Sequence, residues 1–395
     1  MTLKDEIRQL AVSTHDTVVG YRRHLHAHPE LSFQERETAA FVKGRLTEMN
    51  ISWQTMAGTG IVATITGEKE SGQVIALRAD MDALPIKEAN RDDYISRNPG
   101  VMHACGHDAH MASLLGVAAI LQAVRGRFGG TVKMIFQPGE EKLPGGASLM
   151  IQEGVLDNHH LSAVVGQHVS PAVDSGKIAM RPGRFMASMD EIFVTVHGKG
   201  GHGAQPHQNI DPVIITAHIL VALQQIVSRM ANPILPTVLS FGKLTANGAI
   251  NVIPDEVFLE GTFRTLDEDW RMEAHERMRK MAEDIAHGMG GSCEFKIVRG
   301  YPFLMNEPNL TMQLRSFAED YLGKENVLEA DIWMAAEDFA WYSHSVDSCF
   351  YILGVGNKQK GIDSSLHTAT FNIDEDALAL STGLMAYLAL KRLGN

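Results

Sequence analysis

The sequence predicts an α/β protein in two domains: a sheet with helices on both faces, into which a smaller βαββαβ domain is inserted. Three observations predict it. The chain has 395 residues, too many for one ordinary hydrophobic core. Apolar strand-like runs alternate with helical stripes through the first half and again after Tyr301, the pattern of a sheet buried on both sides. Between these halves the order changes to strand, helix, strand, strand, helix, strand.

Taken in order, a helical stripe runs through Thr38–Met49, with Ala39, Val42, Leu46 and Met49 on one face. Strands follow at IVATIT (61–66) and VIALRADM (74–81). A helix is expected over 107–124, a strand at TVKMIFQ (131–137), a helix over 146–153 and a strand at AVVGQHV (163–169). In such sheets ligands gather beyond the strand ends. RADMD, QPGEE and GQHVSP are each expected at the C-terminal end of one of these strands. In the middle, EIFVTVHG (191–198) reads as a strand. The helix over 211–227 starts at Asp211-Pro212, an N-cap followed by proline at the first helical position. TVLSFGKLT (237–245) and EVFLEGTFRT (256–265) are strands, Asp267 to about His287 is a charged amphipathic helix, and SCEFKIV (292–298) closes the unit. This order is ferredoxin-like. It sets one domain at 1–186 with 300–395 and the inserted one at 187–299. The last part holds EDFAWYSH, the strand SCFYILGVG and a closing helix from Asp374.

A composition of 45% hydrophobic and 21% charged residues is that of a globular protein. The net charge of −12 argues against nucleic acid or an anionic membrane as the main partner, since either needs a basic face. No run of about 18 apolar residues is found, so no membrane span is expected. The N-terminal MTLKDEIRQL does not read as a signal peptide. Cys105, Cys293 and Cys349 are an odd and sparse set, which suits a reducing cytoplasm better than a disulfide framework.

Several loops could carry chemistry. In MHACGHDAHM (102–111), Cys105 and His107 are good ligands for zinc and related metals. A nucleophilic cysteine with a histidine base and an ordinary buried cysteine at a helix start are the alternatives. QPGEE (137–141) puts two adjacent carboxylates after a strand, one free to bind metal while the other faces the substrate water. His168 ends the next strand, and His367 lies in the polar loop SSLHT. Together Cys105, His107, Glu141, His168 and His367 offer nitrogen, oxygen and sulfur donors on one rim, enough for two metals sharing a bridge. Asp80 and Asp82 end another strand, and Asp82 is expected to hold a ligating histidine by its second ring nitrogen.

GKGGHGAQPH (198–207) contains a Gly-x-Gly-x-x-Gly run like a dinucleotide fingerprint. The ribose-binding acid about 20 residues on is missing, Pro206 and Asp211-Pro212 delay the helix, and the run sits in the ferredoxin-like unit. It reads better as a glycine loop presenting His202. Asn251 can offer its amide to a substrate, and Arg264 can grip a carboxylate with two parallel hydrogen bonds.

RRHLHAHPELSFQE, ALRADMDALP, MHACGHDAHMA, FQPGEE, GQHVSP, GKGGHGAQPH, NVIPD, GTFRT and SSLHT, in that order along nearly the whole chain, resemble the M20 metallopeptidase family. Within it they are similar to the amidohydrolase/aminoacylase branch, with its hippurate hydrolases, auxin–amino-acid conjugate hydrolases and N-acetyl-diaminopimelate deacetylases. The resemblance implies a two-metal catalytic domain and an inserted lid that commonly makes a homodimer. It implies Cys105, His107, Glu141, His168 and His367 as metal ligands, with Cys105 at the bridging position. It implies Glu140 as general base and acid, and His202 as a donor to the tetrahedral oxyanion, often across the dimer. Asn251 and Arg264 become lid contacts to substrate, the arginine to its carboxylate. Position 139 is glycine where related sequences often carry alanine, a change expected to loosen the Glu140 backbone without removing a ligand. The implied reaction is metal-dependent hydrolysis of the amide bond of an N-acyl-L-amino acid, N-acetyl, N-benzoyl or similar. Two divalent ions would serve it, and zinc, manganese, nickel and cobalt all suit the donor set. The alternatives are a metallo-carboxypeptidase or dipeptidase on small peptides, a zinc-dependent NAD oxidoreductase, and a metal-binding protein without catalysis. His103, Asp108 and His110 receive no role.

Overall fold

The computed structural model describes residues 1–158 and 160–394. The chain divides into two compact units, Met1–Arg184 with Met305–Ile332 and Asp338–Asn395, and Phe185–Leu304 with Trp333–Glu337.

The larger unit is built on an eight-stranded mixed sheet. Its order is Ser52–Met56, Gly60–Thr66, Gly129–Gln137, Lys69–Asp80, Leu161–Asp174, Ser348–Gly356, Ile178–Met180, Val327–Glu329. The four middle strands, from Gly129–Gln137 to Ser348–Gly356, pair parallel. Their runs are buried on both faces, as in Val74–Asp80, which is why they read as continuous apolar segments rather than alternating ones. The helices His107–Ala123 and Ala377–Arg392 are buried almost all round. Helices Leu3–Ser13, His15–Ala27 and Pro308–Leu322 complete the layers and were not anticipated from the sequence.

Pairing register aligns the strand ends that matter. Asp80 pairs with Gln137, so RADMD and QPGEE leave the sheet side by side. Arg78 pairs with Gly166, which sets His168 two residues beyond on the next strand. That strand does not end at His168 as expected. It continues to Asp174, because Ser348–Gly356 keeps pairing with it past the point where Lys69–Asp80 stops.

The smaller unit is a four-stranded antiparallel sheet in the order Thr237–Ala246, Glu256–Thr265, Asp190–His197, Ser292–Arg299. Two helices, Pro212–Gln225 and Glu268–Gly288, pack against it. This is the ferredoxin-like arrangement. Asp211 caps the first helix by accepting from Val213 N at 2.9 Å, and Asp267 caps the second by accepting from Trp270 N at 2.9 Å. Among the described residues one helical segment, Pro212–Met230, is long and apolar enough to cross a membrane, which corrects the expectation that no such stretch exists. Its stripe of Ile215, Ile219, Leu223 and Ile226 is buried in the core of this unit.

Candidate metal centre

Gly106 sets up the first pair of donors. It lies at φ +84, and a Cβ there would come within 2.3 Å of Val169 Cγ2. Only glycine fits this turn, which lets Cys105 and His107 flank the start of the helix His107–Ala123. Cys105 Sγ lies 3.3 Å from His168 Nε2 and 3.3 Å from His367 Nε2. His367 Nε2 lies 3.2 Å from Glu141 Oε1. The donor atoms fall into overlapping triads, each within 4.8 Å: Cys105–His107–His168, Cys105–Glu141–His367 and His107–Glu140–Glu141. Cys105 belongs to the first two, as a bridging ligand would. Cys105, His107, His168 and Glu140 are buried, while His367 is exposed. His367 has φ +60, a conformation that costs a non-glycine residue about 1–3 kcal/mol and is found where the surroundings enforce it; its amide donates to Ala104 O at 2.9 Å.

The hydrogen bonds fix the ring tautomers. His168 Nδ1 donates to Val169 O at 2.7 Å, so its Nε2 lone pair faces Cys105. Burial, then neighbouring His110, hold His168 well below its usual range, and a neutral imidazole is the form that binds metal. His110 is different. Its Nε2 accepts from Val169 N at 3.0 Å and its Nδ1 donates to Asp80 Oδ1 at 2.6 Å. Both nitrogens are used, so His110 braces Asp80 and the His168 strand.

Asp82 braces the other side. Its Oδ1 lies 3.4 Å from His107 Nδ1 and accepts from Glu140 N at 3.0 Å. Its Oδ2 accepts from Glu141 N at 2.9 Å and from Ser32 Oγ at 2.7 Å. Asp80 Oδ2 takes Arg78 Nη1 at 2.7 Å, and Arg78 Nη2 reaches Asp338 Oδ1 at 2.8 Å.

The donor set suits a divalent cation. Burial disfavours charge on His107, but Asp80 and Asp82 outweigh it and push the ring up to about 10. Neither ring nitrogen makes a well-aligned hydrogen bond, with Nδ1 3.4 Å from Asp82 and Nε2 3.7 Å from Asp80, and Glu141 Oε1 has only the 3.2 Å approach of His367. Buried, unsatisfied donors and acceptors are costly, and a cation among them would remove that cost. Burial, then Glu141 and Glu140, raise the Cys105 thiol well above its usual value. An activated nucleophilic cysteine has the opposite shift, so this thiol is not primed for attack, and what marks Cys105 as a donor is its place in two of the triads.

His103 is buried with neither ring nitrogen hydrogen-bonded, and burial lowers it to about 4. Asp108 Oδ2 accepts from Arg22 Nε at 2.9 Å and pairs with His26 Nδ1 at 2.8 Å. The sequence reading missed Arg78, Ser32, Arg22 and the bracing role of His110. Apart from Asp80 beside Arg78, their partners are distant along the chain (Asp338 for Arg78, Asp82 for Ser32, Asp108 for Arg22, Asp80 and Val169 for His110), and only the tertiary fold brings them together.

His202, Asn251 and Arg264 belong to the smaller unit. His202 Nδ1 accepts from Ala204 N at 3.1 Å, which leaves the proton on Nε2 of an exposed ring. His202 pairs with Val252 in a two-residue ribbon, and Asn251 O accepts from Gly203 N at 2.8 Å. This ribbon lies beyond the end of the sheet where His197 pairs with Glu256. Arg264 lies at the other end, past the Phe263–Asp190 pair, with Nη1 donating to Met334 O at 3.0 Å. Eight residues of strand at about 3.4 Å each put roughly 27 Å between the two ends. The glycines of the loop have local causes: a Cβ on Gly198 would meet Ile210 O at 2.2 Å, and one on Gly200 would meet Ile253 O at 2.5 Å.

The fold and the donor set define a metal-dependent hydrolase. The profile for Peptidase family M20/M25/M40 matches residues 76–391, and the chain belongs to this family. It is 44% identical over 304 residues to an N-acyl-L-amino acid amidohydrolase of Geobacillus stearothermophilus, covering 77% of this chain and 81% of that one. It is 37% identical over 393 residues to thermostable carboxypeptidase 2 of Saccharolobus solfataricus, covering 98% of each. The solved structure of the Bacillus subtilis YXEP protein, a dinuclear metal binding peptidase from the M20 family, matches with a TM-score of 0.83 and 36% identity, over 97% of this chain and 99% of that one. The chain is thus an amidohydrolase of the M20 metallopeptidase type.

Proposed function

We propose that the protein hydrolyses the amide bond of N-acyl-L-amino acids, releasing a carboxylic acid and a free amino acid, with two divalent metal ions held by Cys105, His107, Glu141, His168 and His367. The observation that carries this reading is the pair of donor triads sharing Cys105, with Glu140 beside them in the group His107–Glu140–Glu141. The cations, zinc, manganese, nickel or cobalt, would supply Lewis acidity toward the scissile carbonyl and the attacking water. Glu140 takes a proton from that water as its oxygen bonds to the carbonyl carbon, and returns it to the nitrogen as the C–N bond breaks. His202 donates from Nε2–H to the developing oxyanion. Arg264 binds the free α-carboxylate, and Asn251 contacts the substrate. Asp82 orients His107 and holds the Glu140 and Glu141 amides.

The separation of His202 from Arg264 supports a homodimer. An N-acyl amino acid spans about 7 Å, far less than the distance between the two ends of one lid. One substrate can meet both only if His202 and Asn251 come from a second copy. The lid offers a surface for this. Thr237–Ala246 is an edge strand, and Ile214, Val221 and Leu244 are exposed large apolar side chains. In this reading the larger unit is the catalytic domain and the smaller one the lid and dimerisation domain. Cys105, Cys293 and Cys349 are free thiols, which suits a cytoplasmic enzyme.

A second reading, a carboxypeptidase or dipeptidase, is favoured by the Saccharolobus relative, since a peptide also ends in a carboxylate that Arg264 could bind. The deciding experiment is a hydrolysis screen of the metal-reconstituted protein across N-acetyl, N-benzoyl and indole-acyl amino acids alongside dipeptides. Faster turnover of N-acyl amino acids is expected; turnover of dipeptides alone would reverse the assignment.

A further inference from the structure

Three successive amides of the loop that carries Glu140 each meet a buried carboxylate oxygen. Glu140 N and Glu141 N donate to Asp82, and Gly139 N donates to Glu35 Oε1 at 2.8 Å. Glu35 is completely buried. It occupies the N-cap position of the helix Arg36–Glu48, yet its side chain makes no capping hydrogen bond. Glu30 does that work, accepting from Glu37 N at 3.2 Å and Thr38 N at 2.9 Å, the two amides an N-cap side chain ordinarily serves. Glu35 is left to tie three segments together. Its Oε1 also accepts from Phe33 N at 2.8 Å, and its Oε2 accepts from Thr59 Oγ1 at 2.7 Å.

Steric contact reinforces the tie. Phe33 lies at φ +65 and Gly139 at φ +58. A Cβ on Gly139 would fall 2.4 Å from Phe33 Cε1 and Cζ. The Phe33 ring therefore occupies the space that a side chain at 139 would need, and the Phe33 amide is held by the same carboxylate oxygen that holds Gly139. A buried carboxylate is expensive unless its oxygens are satisfied, and these three donors satisfy it.

We infer that Glu35 is a positioning residue for Glu140: with Asp82 it fixes the backbone of residues 139–141, and so the direction from which Glu140 meets the substrate water. The inference rests on the reading of Glu140 as general base. Glu35 acts here as a hydrogen-bond acceptor of defined reach rather than as a charge. Glutamine can replace it, because its carbonyl oxygen can accept from Phe33 N and Gly139 N while its NH2 donates to the Thr59 hydroxyl. Aspartate keeps the charge but is one methylene short of Gly139.

The test compares Glu35→Gln, Glu35→Asp and Glu35→Ala with the parent, all metal-reconstituted. Steady-state kinetics are read on the best N-acyl amino acid of the screen, and amide hydrogen exchange on a peptide covering residues 136–141. Glu35→Gln should keep kcat within about threefold and parental exchange, while Glu35→Asp and Glu35→Ala should lose on the order of 100-fold in kcat with KM little changed, and exchange faster at Gly139. A Glu35→Asp enzyme with parental kcat would overturn the inference, as would a Glu35→Gln enzyme as impaired as Glu35→Asp, because an acceptor of the right reach would then not be enough. If the parent itself turns over no N-acyl amino acid, it is the functional reading that fails. Exchange then decides separately whether Glu35 holds the loop, and parental protection in both the Asp and Ala variants would overturn that too.

Discussion

His202 and Arg264 leave the four-stranded sheet of the smaller unit at opposite ends, with the strand Glu256–Thr265 running between them. If both serve one substrate, they come from two different copies of the chain.

That arrangement predicts a particular pattern of complementation. His202→Ala and Arg264→Ala should each be nearly inactive alone. Co-expressed, they should form heterodimers in which one of the two sites is fully parental, so about a quarter of parental activity should return at equal mixing in a two-fold dimer. His202→Ala mixed with Asn251→Ala should recover nothing, because both residues come from the same lid end. Recovery in the second mixture, or none in the first, would count against the shared site.

Glu140→Ala should lower kcat by at least 100-fold while metal content stays parental, since the five proposed ligands remain. Metal stoichiometry measured beside kcat separates the two effects. Chelation should abolish activity and also lower the melting temperature, because a ligand that binds only the folded chain adds to its stability and that contribution leaves with the metal.

Gly139→Ala should destabilise the protein. The left-handed backbone alone costs an alanine about 1–2 kcal/mol, and the Phe33 contact adds to it. Combining it with Phe33→Ala should cost less than the sum of the two single changes, a coupling that thermal melts of the four proteins would measure. Strict additivity would mean that the ring and the glycine do not share the space.

Asp190 should make the smaller unit sensitive to acid. It is buried between Arg271, whose Nη2 lies 2.6 Å from Oδ1, and His275, whose Nε2 lies 2.7 Å from Oδ2. Burial opposes its charge, but His275 and Arg271 outweigh burial and hold the carboxyl below its usual range. A folded pKa below the unfolded one gives stability that is present at neutral pH and is lost as pH falls through the folded value. Asp190→Asn should therefore be clearly less stable at pH 7, and the gap to the parent should narrow in urea titrations below about pH 4. Asp190→Ala should cost about 3 kcal/mol at neutral pH, because it takes one of two carboxylates from a buried guanidinium and leaves it Glu268 alone.

Much of this site was legible in the sequence because its donors sit where strands end. Periodicity located Lys69–Asp80, Gly129–Gln137 and His107–Ala123, and those elements carry Asp82, Glu140, Glu141, Cys105 and His107 at or just beyond their ends. What was not legible depends on pairing between distant segments. His110 receives no role from the sequence, because its two partners, Asp80 and Val169, lie 30 and 59 positions away. Glu35 ends the stretch RRHLHAHPELSFQE, yet nothing local distinguishes a helix cap from a side chain turned toward Gly139. The glycine at 139 was expected to loosen the Glu140 backbone. It is instead the residue that the Phe33 ring requires, a constraint set by packing between residues 106 positions apart.

The parallel pairing of Ser348 with Val164 has a consequence for how the enzyme is made. They lie 184 positions apart, and the stretch between them includes the entire smaller unit. On a ribosome adding about 5–20 residues per second, the partner strand follows its neighbour by roughly 10–40 s. The edge of Leu161–Asp174 must wait that long for Ser348–Gly356, while the inserted unit has time to fold on its own. His367 emerges later still. A nascent chain therefore holds an incomplete set of the proposed donors until His367 has been made.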